Sequence, residues 1–179
     1  MTKKFTLSLT VLSAALLFGL PAYAEDDVVE VMLVDRLDEP RGYCLDIAGG
    51  RGKDAPLDQG LQAHTCYNYT GQILEDQGFE KALIESGEFK LPYFDVCATE
   101  EGKELVLEAC TGSPRQSFEF LSDGRIVLGD DRDQCLTVSS TEKTEGRGGT
   151  PIHVMRPLTF QACDSNNAAY QTWMIQANN

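Results

Sequence analysis

The same arrangement of cysteine, glutamine and aromatic residues occurs three times along the chain, and this repetition limits the fold more than any other feature. Each copy has a cysteine, a second cysteine further on, and then a glutamine two positions before an aromatic ring. The copies are Cys44, Cys66 and Gln77-Gly78-Phe79, then Cys97, Cys110 and Gln116-Ser117-Phe118, and finally Cys135, Cys163 and Gln171-Thr172-Trp173. Self-similarity at an interval of about 40 to 55 residues is typical of a chain built from repeated structural units.

Within each copy, short apolar stretches alternate with turn-forming residues, which predicts strands. Four short strands cannot bury their apolar face alone, so the three units have to share one core. The predicted fold class is therefore all-β, a β-trefoil of three pseudo-repeats. We expect the triplet aromatics Phe79, Phe118 and Trp173 to converge in the core. We expect the triplet glutamines to hydrogen-bond backbone groups at strand ends.

The cysteine count points to disulfides rather than to a metal site. Six cysteines are present and no Cys-x-x-Cys pair occurs among them. Six cysteines allow 15 pairings, and the repeat selects the one that keeps each bond inside its own copy. The predicted disulfides, one for each repeat, are Cys44–Cys66, Cys97–Cys110 and Cys135–Cys163. We predict no bound metal and no cofactor.

Residues 1–24 have the features of a secretory signal peptide. Two lysines precede an apolar run, and Ala22-Tyr23-Ala24 offers a small-residue cleavage site. The apolar run is shorter than the ~20 residues that a bilayer crossing needs. The chain is therefore expected to be secreted or periplasmic and not embedded in a membrane. The mature part, 25–179, is predicted to be a single domain with repeats at about 28–84, 85–122 and 123–177.

The charge is strongly one-sided, with 28 acidic against 15 basic residues and a formal net charge of −13. Such a surface repels phosphate backbones, so nucleic acid is excluded as a partner. Solubility outside the cell is the simplest use of this charge, and a halophilic or marine source would also fit it. Catalysis also has little support, because only two histidines are present and no nucleophile motif occurs. We therefore predict that the chain is not an enzyme.

Three stretches of the first repeat have local patterns of their own. Apolar and acidic residues mixed over Val28 to Leu37 predict a strand, and the Gly/Asp/Pro-rich stretch Ala48 to Gly60 predicts a loop. Residues 73–86 taken alone fit an amphipathic helix. We favour a strand for them, because the aligned stretch around Phe118 in the second repeat has strand character and a turn.

The three copies resemble the ricin B-type (R-type, Q-x-W) lectin family. The resemblance extends over nearly the whole mature chain, and its most typical pieces are Tyr170-Gln171-Thr172-Trp173 and the stretch from Asp123 to Leu136. The family has a β-trefoil fold and binds galactose-type or related glycans, as isolated lectins or as targeting modules of toxins and glycosidases. The resemblance implies a non-catalytic, exported carbohydrate-binding protein whose partner is a glycan.

The resemblance also implies a set of sugar-binding positions, and the first repeat matches it best. Asp46 lies two residues after the first cysteine, and Gln62 lies four before the second. The family's stacking aromatic is replaced by His64, and its Asn-Gln pair by Asp76 and Gln77. A carboxylate accepts two hydroxyl protons at once, so charge-assisted bonds give much of the specificity in such a site. We predict one weak sugar site at these five residues.

Tyr67 or Tyr69 is the candidate to supply the ring that His64 lacks. The other two repeats depart further from the family pattern. The second has Thr99, Val106, Glu108 and Arg115 at the site positions, and the third has Thr137, Thr159, Gln161 and Tyr170.

The alternative function is an interaction module without sugar binding, such as a toxin-type delivery subunit or an inhibitor of hydrolases that uses the loop 141–151.

Overall fold

The computed structural model describes residues 27–67, 70–146 and 150–177, and the predicted signal peptide lies outside them. The strands are β1 (Val28–Leu33), β2 (Tyr43–Ile47), β3 (Leu61–Thr65), β4 (Phe79–Glu80), β5 (Lys90–Leu91), β6 (Val96–Glu101), β7 (Glu104–Ala109), β8 (Phe118–Phe120), β9 (Ile126–Leu128), β10 (Gln134–Val138), β11 (Thr144–Glu145), β12 (Val154–Ala162) and β13 (Trp173–Ala177). The short helices α1 (Lys81–Glu85) and α2 (Ala168–Gln171) lie between them. No helix in the described part of the chain has the length and apolarity that a membrane crossing requires.

Each repeat is centred on an antiparallel hairpin closed by its own disulfide. The hairpins are β2–β3, β6–β7 and β10–β12. The disulfides are Cys44–Cys66, Cys97–Cys110 and Cys135–Cys163, each with its two Cα atoms 5.0 Å apart. The pairing predicted from the repeat is therefore confirmed.

The repeats join one another at two places. Strand β1 pairs antiparallel with β13, with Leu33 opposite Trp173, so the first strand of the described chain is tied to the last. The hairpins also meet, because β3 of the first repeat pairs with β12 of the third. Strand β7 of the second repeat packs beside both of them. One strand from each hairpin thus reaches a common meeting point.

The glutamine of each triplet makes the same hydrogen bonds in all three repeats. Its Nε2 donates, at 2.9 to 3.0 Å, to the carbonyl that precedes the second cysteine, which belongs to Thr65, Ala109 or Ala162. Its Oε1 accepts, at 2.8 to 3.0 Å, from the N–H that follows that cysteine, which belongs to Tyr67, Thr111 or Asp164. The expected backbone bonding of these side chains is confirmed, and it ties each hairpin to the strand that follows it.

The triplet aromatics form the shared core, as predicted. Phe79, Phe118 and Trp173 are 0%, 3% and 1% exposed and belong to one continuous apolar cluster. Phe89 packs edge-on against both Phe79 and Phe118. The indole Nε1 of Trp173 donates to the Leu136 carbonyl at 3.0 Å, so its polar atom is satisfied inside the core.

Residues 73–86 contain both kinds of structure. Phe79–Glu80 forms a strand, but Lys81–Glu85 forms the helical turn α1, so the strand prediction is wrong for that part. The turn consists of good helix formers and buries Ile84 against the core. It ends in a left-handed residue, Gly87 (φ +86), whose N–H donates to the Ile84 carbonyl. The first repeat thus uses a helical turn where the second has a tight strand turn.

Strand β1 also differs from the prediction at its end. It stops at Leu33, short of the expected limit at Leu37. Leu37 has φ +50, a left-handed conformation that a strand cannot contain.

Candidate functional site

The five predicted sugar-site residues come together at hairpin β2–β3, and we call them the first-repeat cluster. Asp46 lies directly opposite Gln62 in the ladder, so both side chains point to the same face. The Gln62 Nε2 donates to the Asp46 Oδ1 at 2.8 Å. The Gln77 Nε2 donates to the other carboxylate oxygen, Oδ2, at 2.9 Å. The structure therefore places Asp46 between two amide donors.

We call the hydrogen-bonded hairpins and triplet glutamines that all three repeats share the frame. The other two repeats show what the position two residues after the first cysteine contributes to this frame. In the second repeat, the Gln116 Nε2 donates to the Thr99 Oγ1 at 3.0 Å, and in the third the Gln171 Nε2 donates to the Thr137 Oγ1 at 2.9 Å. Each threonine is two residues after the first cysteine, as Asp46 is. A threonine hydroxyl therefore suffices as the acceptor in the frame. The carboxylate of Asp46 adds a charge and a further acceptor oxygen that the frame does not use.

Asp76 brings a second carboxyl group to the cluster. Its side chain is fully buried, and its Oδ2 accepts from the backbone N–H of Gly52 at 2.6 Å. Its Oδ1 has no hydrogen-bond partner among the described residues. Gly52 belongs to the loop between β2 and β3, so this bond fastens the loop over the cluster.

Both acids are harder to ionise than usual. Burial raises the pKa of Asp46 well above its ordinary value, and the nearby Asp76 carboxylate raises it further, while the bonds from Gln62 and Gln77 oppose this. Burial also raises the pKa of Asp76, against the lowering effect of the Gly52 N–H. The cluster has more carboxyl oxygens than its own donors satisfy, since the Asp76 Oδ1 has no partner among the described residues. It is suited to a ligand with several hydroxyl or amine hydrogens.

His64 does not supply a positive charge to these acids. Burial lowers the pKa of His64 to about 4, so the ring is neutral at neutral pH. Its Nδ1 lies 2.8 Å from the Thr65 carbonyl and donates to it, because a carbonyl can only accept. The same Nδ1 lies 3.8 Å from the Asp46 Oδ2. His64 is thus positioned beside the acid as a buried neutral ring.

The ring expected from the adjacent loop is not open to a ligand in this conformation. Tyr67 is 2% exposed, with its ring centroid 5.2 Å from that of His64 and 5.3 Å from that of His153. The Arg51 guanidinium lies over the same ring, 5.9 Å from its centroid. Tyr69, the other candidate, lies outside the described residues.

Two side chains at the cluster were missed by sequence reasoning. His153 belongs to the third repeat, yet its ring lies edge-on to His64 at 5.0 Å. Arg51 belongs to the loop between β2 and β3 and covers the outer side of Tyr67. Neither follows the repeat pattern, because both are in insertions without counterparts in the second repeat. The only signal in the sequence is that His64 and His153 are the two histidines of the chain.

Changing Asp76 to asparagine, the residue that the family pattern has there, is expected to alter the pH dependence of stability. The folded-state pKa of Asp76 is raised, so the folded protein binds more protons than the unfolded chain, and this group's contribution to stability falls as pH rises above 3.8. Asp76→Asn keeps an oxygen for the Gly52 N–H but cannot ionise. We therefore expect its stability relative to the wild type to increase as pH rises above 3.8.

Urea unfolding of both proteins at a series of pH values measures this difference. Asp46 contributes to it in the same direction, because the substitution removes the carboxylate that raises the pKa of Asp46. As a control for the change in net charge, Asp58→Asn removes an exposed acid of the same loop. An Asp76→Asn curve that is parallel to the wild type contradicts the raised pKa.

Comparison with known proteins establishes the fold. No protein-family model and no curated protein matches the sequence. Among solved structures, similar folds include the Vibrio vulnificus hemolysin/cytolysin β-trefoil lectin with N-acetyl-D-lactosamine bound (TM-score 0.56, 16% identity, covering 86% of this chain and 96% of that one). The earthworm R-type lectin C-half in complex with GalNAc (0.58, 12%, 84% and 98%) and the cytolethal distending toxin of Actinobacillus actinomycetemcomitans (0.60, 17%, 86% and 93%) are also similar. The chain is thus an all-β protein with a β-trefoil fold, as predicted.

Proposed function

We propose that this chain is an exported, non-catalytic carbohydrate-binding protein whose sugar site is the first-repeat cluster. One observation carries the proposal. At the position where the second and third repeats use threonine, the first repeat has Asp46, a fully buried carboxylate with a raised pKa. Burying a carboxylate costs free energy unless something in its surroundings compensates for it. A ligand that offers several hydroxyl hydrogens supplies that compensation.

Two further findings support a glycan as the ligand. The Vibrio lectin and the earthworm lectin, whose folds are similar, were solved with N-acetyl-D-lactosamine and GalNAc bound. The first-repeat cluster also occupies the positions at which the lectin family pattern places its sugar-binding groups. Export is supported by the predicted signal peptide and by the three disulfides, which form and persist in oxidising compartments.

The β2–β3 loop lies over the first-repeat cluster and limits how a ligand can reach it. Asp46, Asp76 and Gln77 are fully buried, and the Gly52 N–H holds the β2–β3 loop down on Asp76. A sugar that reaches Asp46 has to displace this loop. Since part of the binding energy is used for that movement, we expect weak affinity, in the mM range or about 4 kcal/mol.

The test is a glycan array at high ligand density, with the oxidised mature protein and an Asp46→Thr variant. Threonine at this position reproduces the acceptor found at Thr99 and Thr137, so the frame is expected to stay intact. We expect the variant to lose retention on every glycan that the wild type binds. A variant that binds as the wild type does refutes this site.

The matched control is Thr99→Val in the second repeat. It removes the hydroxyl that accepts from the Gln116 Nε2 and should cost about 1 kcal/mol of stability. We expect glycan retention to remain unchanged. This control separates a loss of binding caused by the missing carboxylate from one caused by a weaker frame.

The second candidate function is a trefoil interaction module that docks a protein partner. The similarity to the cytolethal distending toxin favours it, because that neighbour is part of a toxin. This alternative is supported if the protein binds no glycan on the array and a specific protein partner is recovered from the native source. The loop 141–151, the candidate for hydrolase inhibition, lies partly outside the described residues.

A further inference from the structure

An open cavity of about 360 Å³ lies where the three hairpins meet. Each repeat contributes one stretch to its wall: 58–62 from the first, 104–106 from the second, and 155–158 from the third. This volume is within the range of small-ligand sites, roughly 300 to 1,000 Å³. The cavity is distinct from the buried first-repeat cluster, but it shares one side chain with it, Gln62.

The cavity exists because the hairpins have different loop lengths. The first and third repeats carry long connections between their hairpin strands, and residues of both, Ala48 and Thr144 among them, line the cavity. The second repeat joins β6 to β7 by a short turn, and it contributes only residues 104–106 to the lining. Gly60 permits the first and second repeats to approach closely, since a Cβ there would lie 2.5 Å from the Leu105 carbonyl oxygen.

The lining combines an apolar floor with an acidic rim. Leu61, Leu105 and Leu158 are buried beneath the opening. Asp58 and Glu104 are exposed at the rim, and neither has an ion-pair partner in the described part of the chain. Such a lining favours a ligand with an apolar face and a neutral or positively charged edge.

Among the described residues, no free cation in the lining offsets this acidity. Arg156 lines the cavity, but its guanidinium is already bonded to the Asp38 carboxylate and the Ser139 carbonyl, each at 2.9 Å. The two rim carboxylates therefore set the local potential. Ligands that carry a carboxylate or a sulfate are repelled.

Gln62 connects the cavity to the cluster. Its Nε2 donates to the Asp46 Oδ1, and its side chain is half-buried, with the cluster on one side and the cavity on the other. We propose that the cavity is a second subsite of the first-repeat sugar site and holds the next ring of a neutral or amino-bearing glycan, while it rejects acidic glycans. This inference rests on the proposed function, and it adds the class of glycan and the residues that select it.

The test compares Glu104→Lys with Glu101→Lys. The two glutamates lie opposite each other at the end of the β6–β7 hairpin, both are exposed, and only Glu104 lines the cavity. Both variants make the same change in net charge. The probes are galactose, N-acetyl-lactosamine, lactosamine with its free amine, and 6′-sialyllactose, titrated at 0.15 M salt.

For the wild type we expect lactosamine to bind most tightly, N-acetyl-lactosamine more tightly than galactose, and 6′-sialyllactose least. Glu104→Lys should weaken lactosamine about fivefold and strengthen 6′-sialyllactose, since an exposed charge pair contributes up to about 1 kcal/mol. Glu101→Lys should leave the order unchanged, and galactose should bind all three proteins equally.

The subsite proposal is wrong if Glu104→Lys and Glu101→Lys have equal effects. It is also wrong if the wild type binds galactose and the disaccharides equally. If Asp46→Thr abolishes galactose binding while Glu104→Lys changes nothing, the proposed function holds and the subsite does not. If none of the four probes binds the wild type, the subsite proposal is wrong, and the glycan array decides on the proposed function.

Discussion

Reduction of the three disulfides is expected to leave the protein unfolded at 25 °C. The bonds close loops with sequence separations of 13 to 28 residues, and each stabilises the fold by about 3 kcal/mol in the chain-entropy model. Together they contribute roughly 9 kcal/mol, which is comparable to the whole stability of a typical domain, 5 to 15 kcal/mol. Circular dichroism of the reduced, alkylated protein should show loss of the cooperative thermal transition.

The individual bonds should differ in the order of their loop lengths. Replacing Cys97 and Cys110 with alanine opens the shortest loop and should cost least, whereas replacing Cys135 and Cys163 opens the longest and should cost most. The same series measures whether the three repeats fold as one unit, because loss of one bond should lower a single shared transition. A reduced protein that still melts cooperatively near the oxidised transition temperature contradicts the prediction.

Trp173→Ala is expected to give the largest loss of stability of any single substitution away from the cysteines, about 3 to 5 kcal/mol. Trp173 lies in strand β13, is 1% exposed, and packs in the core shared by all three repeats. The substitution also leaves the Leu136 carbonyl without the indole N–H that donates to it. The loss should appear as a lower urea midpoint with the disulfides intact.

The control is the neighbouring residue on the opposite face of the same strand. Met174 is 40% exposed, so Met174→Ala should change stability by less than about 0.5 kcal/mol. The two variants share the strand and its pairing with β1, and they differ in whether the side chain reaches the core. A Trp173→Ala loss below about 1 kcal/mol would show that the three repeats do not depend on a common core.

The frame of this protein could be predicted from the sequence because short, local sequence patterns determine it. The cysteines, the triplet glutamines and the triplet aromatics recur in register, and each contact they make is repeated by symmetry. The prediction failed at Lys81–Glu85, where two residues more than in the second repeat allow a helical turn. The amphipathic pattern of residues 73–86 did indicate a helix, and the alignment with the second repeat led to the wrong choice, because the two extra residues let Ile84 reach the core from a helical turn.

The sequence also predicted which five residues form the first-repeat cluster, but it did not predict that they are buried. The resemblance to the lectin family named the five residues, and the structure brings them together. The cover comes from the Gly52 bond to Asp76 and from Arg51 and His153 around Tyr67. These contacts link two insertions that have no repeat symmetry, so their packing follows only from the three-dimensional arrangement of the loops.

The shared glutamine bond has a consequence for how such proteins evolve. In all three repeats the same amide needs an acceptor two residues after the first cysteine, and a hydroxyl or a carboxylate meets that need equally well. Exchange between threonine and aspartate at this position therefore keeps the hydrogen bond of the frame while it adds or removes a buried carboxyl group. Each repeat can therefore exchange one acceptor for the other independently of its two neighbours, because the hydrogen bond that holds its hairpin is kept in either case.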